Sequence, residues 1–69
     1  MTQKEKINAY LNEYGSITPW EAMMELGIMR LAARISEMVR DGEPITKSTV
    51  SRKNKFGKTI RYAKYTKAV

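Results

Sequence analysis

Between Gly27 and Gly42 the chain reads GIMRLAARISEMVRDG, and its apolar residues Ile28, Leu31, Ala32, Ile35, Met38 and Val39 recur at steps of three and four. That spacing lays one apolar stripe along an α-helix over about residues 29–40. Asp41 and Gly42 stop the helix, and Pro44 prevents its resumption. The remainder of the chain must supply the other side of the core. An advance of about 100° per residue puts Arg30, Ala33 and Glu37 opposite the stripe, with Arg34, Arg40 and Asp41 beside them and Met29 at the head of the helix. A plain reading of this outer face is a solvated one, on which Glu37 pairs with Arg34 and Arg40 at i±3.

Upstream, local start and stop signals are strong. Thr2 and Glu5 form a capping box, and Ile7, Tyr10, Leu11 and Tyr14 follow at helical spacing before Gly15. A first helix over about 3–14 is predicted, with both tyrosines at the edge of the core. Ser16 and Ile17 make a short connector able to pair in a small sheet. Thr18-Pro19-Trp20-Glu21 is a second capping box with proline at the first helical position. It opens a brief helix over about 19–26 with Ala22, Met23 and Leu26 on its buried face. Trp20 is expected to lie as a lid over the core, and the position of Met24 stays open.

Beyond Pro44 the pattern changes. Ile45–Arg52 is rich in β-branched residues, and Thr59–Tyr65 in β-branched and aromatic ones, so two strands are predicted. Turn residues Asn54 and Gly57 between them imply a hairpin over about 45–65. Ile45 and Val50 stand an odd number of residues apart, which predicts a bulge or a late strand start.

Charge separates the same two regions. The net charge is +6, yet residues 1–43 carry five cations against seven carboxylates, whereas residues 44–69 carry eight cations and no carboxylate. Such one-sided charge suits a polyanion, and nucleic acid is the leading choice because the basic stretch has no amphipathic apolar helix face for a membrane surface. Cysteine and histidine are absent, which removes disulfides, thiolate metal sites and the usual general base. No metal, cofactor or enzymatic activity is expected. Neither a membrane span of about 18 apolar residues nor a signal peptide is evident, so a cytoplasmic location is expected.

Three helices, the second and third joined by a glycine turn, followed by a basic hairpin, is the order of an α+β winged helix-turn-helix domain spanning residues 1–69. The string SITPWEAMMELGIMRLAARISEMVRDGEPI resembles the small helix-turn-helix proteins common in phage and prophage genomes, through a pattern close to ITP-x-EA, LGI-x-RLAARI and L-x-x-x-G-x-x-I. RYAKY near the C-terminus resembles that family's closing strand. Met38 and Val39 depart from a usual Leu-Arg pair, and Glu43 from an aromatic or small residue. The resemblance implies a DNA-binding regulator acting at the nucleoid of a bacterial host, with Leu31, Ala32 and Ile35 in the core and Arg30, Ala33 and Arg34 facing out.

For a duplex partner, the shallow face around Ala33 would let Met29, Arg30 and Arg34 approach base edges, with Arg40 alongside. Glu37 could accept a hydrogen bond from cytosine. Arg52, Lys53, Lys55, Lys58 and Arg61 would contact phosphates, and Asn54 at the tip would add a polar groove contact. A domain this small offers few base contacts, so a homodimer on a repeated or palindromic site is expected. The alternative is a protein-interaction module or architectural accessory factor that uses Trp20, Met24 and Met29 to grip a host protein or a second copy.

Overall fold

A computed structural model describes residues 1–68. Helix α1 (Gln3–Tyr14) starts at the reciprocal Thr2–Glu5 capping box and ends at Gly15, whose φ of 83° is open to glycine at little cost. The Thr2 amide donates to Glu5 and holds its carboxyl below the ordinary range. Strand β1 (Ser16–Ile17) follows. Helix α2 (Pro19–Glu21) begins at the Thr18–Glu21 capping box and continues as a π-helical turn, Ala22–Leu26. Helix α3 (Leu31–Arg40) leads into the hairpin of β2 (Ile45–Lys53) and β3 (Thr59–Lys67). The three helices and three-stranded antiparallel sheet make the α+β winged helix-turn-helix architecture.

The π-helical turn changes which side chains the second helix buries. The Gly27 amide reaches back five residues to the Ala22 carbonyl, so one more residue is accommodated than in an ordinary turn, and the Ile28 amide closes on the same carbonyl at 3.0 Å. Ala22 and Ile28 are buried, Leu26 lies at the core margin, Met23 is half-buried and Met24 is exposed. Trp20, expected as a lid, is instead 65% exposed. It stands in the first turn, before the chain bends inward.

The sheet order is β1-β3-β2. Pairing runs without interruption from Ile45↔Lys67 to Lys53↔Thr59. The expected bulge is therefore absent, and Ile45 and Val50 lie on opposite faces: Ile45 packs at the core margin, while Val50 points away. At the sheet's inner end, Ile17 pairs with Tyr65 and both are buried. Lys67 ties β3 to α1, its Nζ donating to Asn8 at 2.8 Å and Asn12 at 2.9 Å.

Each helix and the paired strands contribute to one core. Ile7, Tyr10 and Leu11 of α1 meet Ile17, Ala22, Ile28, Leu31, Ile35, Met38 and Tyr65. Tyr14, one turn beyond Tyr10, is largely exposed although the two rings lie 4.5 Å apart. The outer half of the hairpin has no core to cover and projects from the helices, giving extents of 39 × 22 × 21 Å. No helix among the described residues is long and apolar enough to cross a membrane.

Tyr10 joins α1 to the second helix through polar chemistry as well. Its hydroxyl donates to the Glu25 carboxylate, which together with burial raises the phenol's pKa. Because the folded value lies above the unfolded one, this stabilisation is complete below about pH 10 and is lost as pH rises through the folded value. Tyr10→Phe should cost about 1.5–3 kcal/mol at neutral pH, the range for a hydrogen bond to a charged group. Chemical denaturation from neutral to alkaline pH should show the wild-type advantage shrinking as the solution becomes alkaline.

Candidate nucleic-acid interface

The orientation of α3 is set by Leu31, Ile35 and Met38, its three buried residues. With that phase, Ala32 and Val39 are not part of the buried stripe: both are exposed, Val39 by 47%. They lie roughly 90° from the centre of the buried arc, where the helix meets the hairpin root rather than the core. Ser36 is exposed between them, and Arg40 stands exposed in the last turn.

Arg30 does not lie inside the helix. It occupies the N-cap with φ −113° and ψ 57°, two residues later than the sequence spacing suggests for the helix start, because the turn after Gly27 runs on through Met29. Both side chains remain exposed, Met29 by 76%. No side chain caps α3, in contrast to the capping boxes of α1 and α2.

The opposite flank is less free than the helical phase predicts. Glu37 pairs with Arg34 at 3.2 Å and with Lys4 of α1 at 3.3 Å, and Lys4 also reaches Asp41 at 3.6 Å. Arg34 and Ala33 are half-buried, and the Arg34 Nε is enclosed without a hydrogen-bond partner. Glu37 is thus held between two cations and poorly placed to accept from cytosine. Arg34 can turn toward a ligand only by leaving Glu37. The plain i±3 pairing is realised for Arg34 and not for Arg40.

The hairpin carries its cations differently. Lys47, Lys53 and Arg61 share the sheet face of Tyr65, while Arg52 and Lys64 lie on the reverse face. Lys55 and Lys58 occupy the exposed tip. Among the described residues none of these seven forms an ion pair with a carboxylate. A shallow hollow of about 350 Å³, lined by Ala32, Ser36, Val39, Thr46 and Lys47 among others, joins α3 to the root of the hairpin. The helix edge and the basic hairpin form one continuous surface.

The chain belongs to the winged helix-turn-helix domain family. That family's model matches residues 2–68, nearly the whole chain. No curated protein and no solved structure matches it. Membership points to DNA as the partner and makes the β2–β3 hairpin the wing.

At the wing tip, Asn54 builds the turn itself. Its side-chain oxygen accepts from the Phe56 amide at 2.9 Å and the Lys58 amide at 3.0 Å, and its own amide donates to the Lys58 carbonyl at 2.9 Å. Gly57 completes the turn at φ 77°. Asn54 therefore shapes the tip that presents Lys53, Lys55 and Lys58, and Lys55 lies over the exposed Phe56 ring at 5.3 Å. Sequence reasoning placed Asn54 by its turn propensity and did not single out Ala32, Ser36, Lys47 and Lys64, which the structure leaves on this surface. The spacing of Leu31, Ile35 and Met38 taken alone would have signalled the first two. Asn54→Ala should leave the helices' melting largely unchanged while removing protection of the Phe56 and Lys58 amides in hydrogen exchange.

Proposed function

We propose that this winged helix-turn-helix domain binds duplex DNA as a transcriptional regulator, with α3 in the major groove and the wing along the backbone or adjacent minor groove. The observation that carries the reading is the wing itself: a projecting hairpin with unpaired cations on both faces and at its tip, continuous with the exposed edge of α3. Cations unopposed by carboxylates on a projecting element favour phosphates, which position the protein without specifying sequence.

Met29, Arg30, Ala33 and Arg40, with Ala32 and Ser36, make the α3 surface offered to bases. Arg30 is the leading reader: it is exposed, makes no ion pair among the described residues, and sits beside uncapped backbone amides that suit a nearby phosphate. Arg34 contributes by exchanging Glu37 for the DNA, and Glu37 then serves chiefly to hold α3 against Lys4 of α1. Arg52, Lys53, Lys55, Lys58 and Arg61 supply backbone contacts. A phage or prophage origin is supported by the sequence pattern around Ile17–Ile35, and two copies on a repeated or palindromic site would supply the specificity that one small domain lacks.

Replacing Lys53, Lys55 and Lys58 together with glutamine should weaken binding to every duplex alike. The slope of log affinity against log salt should become shallower by about 0.9 for each phosphate no longer neutralised, up to roughly 2.7 for three. Arg30→Ala should instead lose about 1–3 kcal/mol on a site selected from random duplexes and far less on unselected DNA. Titrations at several salt concentrations check both, and an unchanged slope for the triple variant would count against the wing's role.

A further inference from the structure

Apart from Arg52, the reverse face of the wing carries side chains that the surface just described does not use. Strand alternation places Val50, Ile60 and Tyr62 opposite the Tyr65 face. There they meet Trp20, Met23 and Met29 across an open groove of about 820 Å³. Trp20 and Met29 are the most exposed members, and Ile60 is 46% exposed. A contiguous apolar patch of this kind, walled by the first turn of α2 on one side and the hairpin on the other, is costly to leave facing water and marks a docking surface.

Charge around the groove narrows the occupant. Arg52 and Lys64 line it on the wing side without ion-pair partners among the described residues. The carboxylate in the lining belongs to Glu21, and its Oε1 accepts from the Thr18 amide at 2.9 Å and the Thr18 hydroxyl at 3.1 Å. That carboxylate stays charged, but Arg52, Lys53 and Lys64 outnumber it, so the net charge facing an occupant is positive. We propose that the groove binds an acidic amphipathic peptide segment of a partner protein, its apolar side chains seated between Trp20 and Tyr62 and its carboxylates on Arg52 and Lys64. Tryptophan, tyrosine and arginine are the residues that dominate such interfaces, and methionines adapt the lining to the side chains they receive.

Two other occupants fit less well. A single nucleic-acid strand needs a row of stacking aromatics, whereas Trp20 and Tyr62 share this lining with thioether and branched aliphatic side chains. A second copy of this chain offers no acidic amphipathic segment: Glu5 and Glu21 sit in capping boxes, Glu25 accepts from Tyr10, Glu37 and Asp41 pair with Lys4, and Glu43 pairs with Lys67, which leaves Glu13. The groove shares Arg52 and Met29 with the proposed DNA surface, but its apolar lining needs no DNA, and the proposal survives if the DNA reading fails.

Selection of displayed random peptides against the intact protein tests it, followed by anisotropy titration of an enriched peptide carrying a fluorophore. Enriched sequences should combine large apolar residues with Asp or Glu. Exchanging those acids for Asn and Gln, or using Trp20→Ala or Ile60→Ser protein, should weaken binding by roughly tenfold or more. Circular dichroism of both protein variants should show the wild-type melt, because both side chains are largely outside the core. Enrichment without acidic residues, or equal binding to the Trp20→Ala protein, overturns the proposal. Tighter binding of oligothymidine than of any peptide, abolished in the same two variants, overturns it in favour of a nucleic-acid strand.

Discussion

Three side chains, Leu31, Ile35 and Met38, decide which way everything else on α3 faces. They insert into a core that α1, Ile17, Ala22, Ile28 and Tyr65 complete, and in a chain of 69 residues no second core is available to hold the helix otherwise. Once they are buried, Ala32, Ser36 and Val39 must line the hairpin root, and Arg34 and Glu37 must fall toward α1. The surface offered to a partner is a consequence of this packing, displaced from the one that a broader apolar stripe would give.

The sheet depends on the same core. Ile17 and Tyr65 are paired across β1 and β3 and are both buried, so the inner end of the wing is anchored while the outer end projects. Lys67, held by Asn8 and Asn12, adds a polar clamp at the same end. A rigid root with a free tip lets the cations on the wing address a surface larger than the helices alone could reach. The two faces of the wing then differ in kind: one continues the edge of α3, and the other closes an apolar groove against Trp20 and Met29.

Features encoded locally were legible in the sequence. Both capping boxes, the left-handed glycines at the ends of α1 and the second helix, and the charge difference between the two regions need only neighbouring residues to be read. Features that depend on distant residues were not. Ala32 and Val39 look like core residues by composition, and only the position of the hairpin root leaves them exposed. The extra residue accommodated between Ala22 and Ile28 moves Met23 outward, and no spacing rule announces a π-helical turn. Ile45 and Val50 imply a bulge only if both must face the core, whereas Val50 has the groove to line. Arg34 falls on the helix that its spacing indicates, but its partner Glu37 is itself drawn toward Lys4, which sequence separation conceals.

In the proposed function, the edge of α3 and the wing meet duplex DNA together. Backbone amide shifts of isotope-labelled protein, followed while a short duplex is titrated in, test it most directly. The largest changes should fall at Met29 to Ala33, Ser36, Arg40 and along Lys47 to Arg61, with Asn8 and Asn12 of α1 unmoved. Changes concentrated on α1, or a wing whose amides stay fixed while the protein binds, would contradict it.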